Sequence, residues 1–359
     1  MKTYMGLNGD YRRVFSSMCT YPHPVAVRAH VDYLHANLGD PNLFPELAAF
    51  ERRAITILGS LLGSAEAVGY ITTGGTESNI QAIRASKLIY GKDKPNIIVP
   101  ASAHQSFNKA SDFIGVELRK AQLNDDYSVD VSSVEGLIDD NTTCLVGIAG
   151  TTSLGVIDPI SSLAKLARRN DIFLHVDAAF GGLVIPFLKK YHKFDFNVDG
   201  VRSLTVDPHK MGMSTIPSGG LLFRYEDDFE ALSTNTFYSV ERSMTGTRSG
   251  ASVAATLAVL EHLGYKGYKN VVAECMRLTN LCVERAAEFG VYPLIEPVMN
   301  VVAFRLPHLS KVALKLTAKR WHVSIMNNAL RLVIMPHITE SILVEFMDDL
   351  EEIVTAHQR

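Results

Sequence analysis

The sequence predicts an α/β protein with a large domain built on a mainly parallel sheet, covered by helices and followed by a small C-terminal α/β domain. Two patterns lead there. Short apolar runs, AVGYIT from residue 67, NIIVP from 96, TCLVGIA from 143, IFLHVD from 172, RSLTV from 202 and GLLFRY from 220, are separated mostly by helical or polar stretches. Strands buried on both faces read this way. The tail then alternates strand, helix, strand, helix in MNVVAFRLP, KVALKLTAKR, LRLVIMP and ITESILVEFMDDLEEIV.

Taken in order, PVAVRAHVDYLHANL from Pro24 and PELAAFERRAITILGSLLG from Pro45 space their apolar residues as helices do, and Pro45 suits a first helical turn. The turn GDPN separates them. The stretch LTVDPHKMGMSTIPSGG, 204–220, holds no helical repeat, so the return from the fifth run to the sixth is too short for a helical crossover and makes the last strand antiparallel. After residue 248, GASVAATLAVLEHLG reads as a long helix of small residues, and a second helix runs through Cys275 and Cys282. No repeat or long linker divides the chain.

The 359 residues are 47% hydrophobic and 20% charged, enough for a large domain and a smaller companion. Net charge is −3 and the basic residues are scattered, which points away from nucleic acid and anionic membranes and towards a small soluble ligand. The pI is near 6.5. The amino terminus lacks a signal-like apolar run, so a cytoplasmic protein is expected. Four separated cysteines suggest reduced thiols and no structural zinc.

Five segments can carry chemistry. TTGGTESN, from Thr72, follows a strand and opens a helix; Gly75 and Thr76 can present N–H groups and a hydroxyl to a phosphate, or the segment can simply be a capped helix start. DIFLHVDAAFGG places Asp177 at the carboxyl end of a strand, where open α/β sheets bind ligands, although a salt bridge or helix cap would also explain it. His175 suits a satisfied core histidine, and a metal site is not supported because no third ligand is evident. DPHKMG sets Lys210 just past a buried strand, where a lysine either reaches water or is kept for chemistry. SAHQSFNKA offers His104 as a ring to stack on a flat ligand, and AGTTSLGVIDP offers Thr151 as a donor.

A phosphate cradle, a strand-end carboxylate, an imidazole and a strand-end lysine together are what pyridoxal 5'-phosphate requires. The lysine forms the Schiff base, and the carboxylate keeps the pyridine nitrogen protonated. TTGGTESN, SAHQSFNKA, AGTTSLGVIDP, HVDAAFGGLVIPF, DPHKMG, IPSGG and GTRSG resemble the group II pyridoxal-phosphate-dependent decarboxylases over nearly the whole chain. SSMCT, NLGDPNLF and VIMPHI are most similar to the archaeal L-tyrosine/L-aspartate decarboxylase branch. The resemblance implies fold type I, the aspartate aminotransferase-like class, with a mostly parallel seven-stranded sheet. It divides the chain into a helical arm (1–50), a cofactor-binding large domain (51–250) and a helical connection with a small domain (251–359).

By the same resemblance, Lys210 bonds the cofactor, Asp177 pairs with the pyridine nitrogen and His104 stacks on the ring. Gly75 and Thr76 bind the phosphate, His209 reaches the phosphate or the substrate, and Thr151 meets the phenolic oxygen. Arg248 is a candidate carboxylate or phosphate partner, with an interface salt bridge as the alternative. The loop STNTFYSVERSMTGTR, 233–248, is shorter than in the related decarboxylases, and Tyr238 is its candidate acid for the α-carbon, with Phe237 beside it.

The implied reaction is α-decarboxylation of tyrosine, giving tyramine for methanofuran, or of aspartate, giving β-alanine for coenzyme A. Arg12, Arg13, His23 and Arg28 could line a substrate pocket, but a solvated basic surface explains them better. The family implies a homodimer with sites at its interface. A carbon–carbon lyase of the sphingosine-phosphate type shares several of these motifs, and a binding protein that keeps the fold without the cofactor is the non-enzymatic alternative.

Overall fold

The computed structural model describes residues 11–40, 42–235 and 240–356. It forms two compact units. The larger comprises Pro22–Thr152 and Val156–Lys269; the smaller draws on the described residues up to Tyr21, Ser153–Gly155 and those from Asn270 on.

The larger unit begins with helices α1 (Pro24–Asp32) and α2 (Pro45–Leu61), each opened by proline. Strand β1 (Val68–Thr72) leads into α3 (Gly75–Tyr90), and β2 (Asn96–Pro100) into α4 (Ser106–Ile114). Strand β3 (Glu117–Ala121), helix α5 (Val131–Gly136), β4 (Thr142–Ile148), α6 (Ile160–Arg169), β5 (Phe173–Asp177), β6 (Ser203–Val206) and β7 (Gly219–Phe223) follow. Helix α7 (Glu226–Glu230) and a short ribbon of β8 (Thr234–Asn235) and β9 (Val240–Glu241) lead to α8 (Gly250–Glu288). The hydrogen-bonded run of α8 passes through a non-helical residue, Gly264 (φ 53°, ψ −170°).

Seven strands make one sheet in the order β1-β7-β6-β5-β4-β2-β3. Pairings among β2 to β6 are parallel, whereas β7 is antiparallel to both β6 and β1, as the short return after Lys210 requires. Alternation along the strands turns Ile97, Val99, Cys144, Val146, Ile148 and Phe173 onto one face, where they pack with Ile80 and Ile83 of α3. His175 and Asp177 continue that face of β5, so two polar side chains point where apolar ones precede them.

In the smaller unit, β10 (Val301–Phe304), α9 (Leu309–Ala318), β11 (Ser324–Met326), β12 (Ala329–Val333) and α10 (Glu340–Thr355) form a three-stranded antiparallel sheet with helices. The N-terminal segment joins it, with Phe15 N–H donating to His322 O and Phe15 O accepting from Val333 N–H, both at 2.8 Å. Phe15, Trp321 and Phe346 are fully buried and mutually packed, with ring centroids 4.5–5.8 Å apart. No disulfide joins any of the four cysteines.

Trp321 is the sole tryptophan of the chain, so its fluorescence reports on this core. Phe346→Ala leaves a cavity against Trp321 and should destabilise the smaller unit by about 3–4 kcal/mol. A fluorescence-detected urea transition with an unchanged midpoint would contradict the packing described.

Candidate active site

The polar residues of the larger unit converge where β4, β5 and β6 end and α3 begins. Gly74, the residue before α3, has φ +145°, and a Cβ there would lie 3.2 Å from His209 Cε1. A Cβ on Gly75 would come within 2.9 Å of Asp207 Oδ2 and 3.2 Å of Ala179 Cβ. Glycine at both positions lets the helix start press against the DPHK turn.

Glu77 ties this loop from inside the helix. Its Oε2 accepts from Thr73 N–H at 2.8 Å and Thr73 Oγ1–H at 2.7 Å, and its Oε1 from Tyr70 Oη–H at 2.9 Å. Glu77, the third residue of α3, thus reaches back past a cap residue, Gly74, that has no side chain to offer. Gly75 and Thr76 then begin the helix with N–H groups that have no intrahelical acceptor, at the positive end of the helix dipole.

Lys210 sits in a tight turn after β6. Its N–H donates to Asp207 O at 3.0 Å, Met213 N–H donates to Lys210 O at 3.2 Å, and Tyr268 Oη–H anchors Gly212 O at 2.9 Å. Lys210 Nζ lies 3.1 Å from Oδ2 of Asp207, a carboxylate only 2% exposed. Asp207 Oδ1 has no hydrogen-bond partner among the described residues. His209 Nδ1 lies against the backbone of Ser218, and its Nε2 is 3.8 Å from Asp207 Oδ2.

Asp177 is held at the end of β5 by neutral donors. Its Oδ1 accepts from Ala179 N–H at 3.0 Å and its Oδ2 from Asn79 Nδ2 at 2.8 Å. Behind it lies a buried set: Asn79 Nδ2 also donates to Ser106 Oγ at 2.9 Å, Asn79 Oδ1 accepts from Thr205 Oγ1 at 2.8 Å and contacts His175 Nε2 at 3.0 Å, and His175 Nδ1 meets Ser203 Oγ at 2.7 Å. Parallel pairing sets His175 opposite Ser203 and Asp177 opposite Thr205. Burial drives the His175 pKa down to about 4, so the ring is neutral.

His104 lies just before α4, and its Nδ1 accepts from Ser106 N–H at 3.2 Å. Burial lowers its pKa, while the Asp177 carboxylate raises it and the Lys210 ammonium lowers it; all three groups are therefore within electrostatic reach. Thr151 Oγ1 is buried and accepts from Val156 N–H at 3.0 Å, which leaves its O–H free to donate.

Arg248 grips both oxygens of Glu51, donates to Ile71 O at 3.0 Å and lies over the Tyr70 ring. Arg13 pairs with Glu345 and stacks on Trp321, His23 caps α1, and Arg12 and Arg28 are exposed. Tyr238 and Phe237 fall outside the described residues.

Three polar side chains were not singled out from the sequence. Asn79 and Asp207 are two of them. The third, Arg331 in the smaller unit, is 2% exposed and donates through Nη1 to Ser16 O at 2.8 Å, while its Nε and Nη2 have no partner among the described residues. A signal for Asn79 existed: helical spacing puts it one turn after Gly75 on α3.

A model of the pyridoxal-dependent decarboxylase conserved domain matches residues 36–307. Over 354 residues the chain is 54% identical to a probable L-tyrosine/L-aspartate decarboxylase of Methanothrix thermoacetophila, covering 97% of this chain and 92% of that one. Among solved structures, a Burkholderia pseudomallei sphingosine-1-phosphate lyase superposes with TM-score 0.88 at 26% identity, covering 96% of this chain and 85% of that one. A Lactobacillus brevis glutamate decarboxylase shares the fold with TM-score 0.90 at 22% identity, covering 98% and 90%.

The buried neutral His175 has a pH consequence. Below pH 6.5 the unfolded chain takes up a proton on this residue that the folded chain refuses until about pH 4. Stability present above pH 6.5 is therefore lost as pH falls towards 4, by about 3 kcal/mol. His175→Gln should flatten that part of the profile in urea titrations at stepped pH; an unchanged slope would refute a neutral buried ring.

Proposed function

We propose, for a chain that belongs to the pyridoxal-dependent decarboxylase family, that the Lys210–Asp177 edge of the sheet is its cofactor site and that L-tyrosine, L-aspartate or both are its substrates. The protein is a pyridoxal-phosphate-dependent carboxy-lyase acting on an amino acid. The observation that carries the site assignment is one lysine and one neutrally held carboxylate at adjacent strand ends, beside a helix start opened by two glycines.

The residues present suit the cofactor. Gly75 and Thr76 would hold its phosphate with His209 alongside, Lys210 would take its aldehyde, and Asp177 would face its ring nitrogen. His104 would lie on the ring and Thr151 would donate to its phenolic oxygen. When bound, pyridoxal phosphate supplies a covalent anchor for the amino acid and a ring that accepts the electron pair left by departing CO2.

The chain's own part is electrostatic and geometric. Asp207 Oδ2, 3.1 Å from Lys210 Nζ, holds that side chain at a defined point in its turn, where it would meet the cofactor's aldehyde. Asp177, whose two oxygens accept from Asn79 and Ala179, would hold a proton on the ring nitrogen. His104 would lie against the cofactor and help to exclude water from it. Tyr238 remains the proposed acid for the α-carbon. With Arg248 committed to Glu51, its part is to brace β1 and α2.

Identity separates the enzymatic alternatives: 54% to a probable decarboxylase against 26% to a lyase. Tyramine or β-alanine is the product read from this relationship. We further infer a cytoplasmic homodimer. No helix among the described residues is long and apolar enough to cross a membrane. Val27, Val31 and Leu34, 40%, 57% and 64% exposed, form an apolar stripe around α1 that a second copy would cover.

Purified protein with pyridoxal phosphate should show a visible absorbance band and a borohydride-fixed adduct that Lys210→Ala abolishes, and Asp177→Asn should lower kcat about a thousandfold. CO2 release scored over a panel of amino acids should single out tyrosine or aspartate; activity on neither would overturn the substrate assignment. In sedimentation velocity, Val31→Asp should shift a dimer towards monomer, and an active wild-type monomer would refute the interface.

A further inference from the structure

Asn79 stands out among the buried polar groups because every hydrogen-bonding position of its carboxamide is used. It is 1% exposed. Both Nδ2 hydrogens are donated, to Asp177 Oδ2 and Ser106 Oγ, and both Oδ1 lone pairs are met, by Thr205 Oγ1 and His175 Nε2. Turning the amide over would set its oxygen against the acceptor-only Asp177 carboxylate, so the orientation is determined. That in turn puts the His175 proton on Nε2 and makes Nδ1 the acceptor for Ser203 Oγ–H. One directed chain therefore runs from Ser203 in β6, through His175 in β5 and Asn79 in α3, to Asp177.

We propose that Asn79 is the positioning residue for Asp177: locked by His175 and Thr205, its amide fixes the plane of the carboxylate and holds it as an acceptor facing the cofactor nitrogen. This rests on the assignment of Asp177 to that nitrogen. Asn79 acts with no charge of its own. The carboxylate is oriented by a dipole, so its negative charge stays available to a cationic N–H. Ala179 N–H does the same for the other oxygen from the backbone.

The experiment is a double-mutant cycle on cofactor binding. Apoprotein of wild type, Asn79→Leu, Asn79→Ser, Asp177→Asn and the combined variants is titrated with pyridoxal phosphate, and unfolding midpoints are recorded alongside. Asn79→Leu should weaken binding about tenfold, as loss of one hydrogen bond to a charged group does. In the Asp177→Asn background the same change should have less than about a twofold effect. Asn79→Ser, smaller and still polar, serves where the leucine variant does not fold.

Equal weakening in both backgrounds would show that Asn79 supports only the fold and would overturn the proposal. If Asp177→Asn weakens binding and the Asn79 variants do not, the proposal fails and the reading of Asp177 stands. If Asp177→Asn itself leaves cofactor affinity unchanged, that reading fails and the proposal fails with it.

Discussion

The constraint on which the site rests is the burial of two carboxylates, Asp177 and Asp207, 6% and 2% exposed, at the ends of neighbouring parallel strands. Removing each from water costs several kcal/mol unless hydrogen bonds or a counter-charge replace the lost hydration. The two are met differently. Asp207 takes the Lys210 ammonium, whereas Asp177 takes two neutral N–H groups. Much of the local architecture supplies these partners: α3 must start close enough for Asn79 to reach β5, and the DPHK turn must curl tightly enough for Lys210 to face back onto Asp207.

The antiparallel strand β7 is part of the same solution. It returns immediately after the lysine turn, so Ser218 receives the His209 ring and Gly219 meets the cradle loop. A Cβ on Gly219 would lie 2.4 Å from Thr72 Oγ1 and 2.5 Å from Gly74 Cα. Small residues after Lys210 thus allow three backbone segments to meet at one point. A helical crossover would have carried the chain away and left the cradle without a wall.

Much of this was legible in the sequence, and the parts that were not share a physical cause. Six strands of the main sheet announce themselves because they are apolar runs buried on both faces; β3, with ELRKA largely turned to solvent at the sheet edge, carries no such signal. The paired bonds of β11 span three residues, too few for periodicity. Lys210 and Asp177 stood out because a charge at the end of an apolar strand is conspicuous. Asn79 and Asp207 act through partners far away in the chain, which only the tertiary fold reveals. The same limit separates the two arginines. Arg248 looked available within GTRSG, but Glu51 has both ends of its fork, while Arg331 sits inside the apolar run LRLVIMP and keeps two buried nitrogens open.

The unequal treatment of the two carboxylates suits the role proposed for each. A lysine paired with Asp177 would neutralise the charge that we propose stabilises a proton on the cofactor's ring nitrogen. Asn79 and Ala179 avoid this because a dipole orients an anion and leaves its net charge in place. Asp207 has the opposite task. It must hold a flexible four-carbon side chain at a defined point in its turn, and for that an ion pair in a buried setting is stronger than a neutral hydrogen bond. Exchanging the partners would satisfy the same desolvation cost and lose both proposed functions, so burial alone does not account for the arrangement.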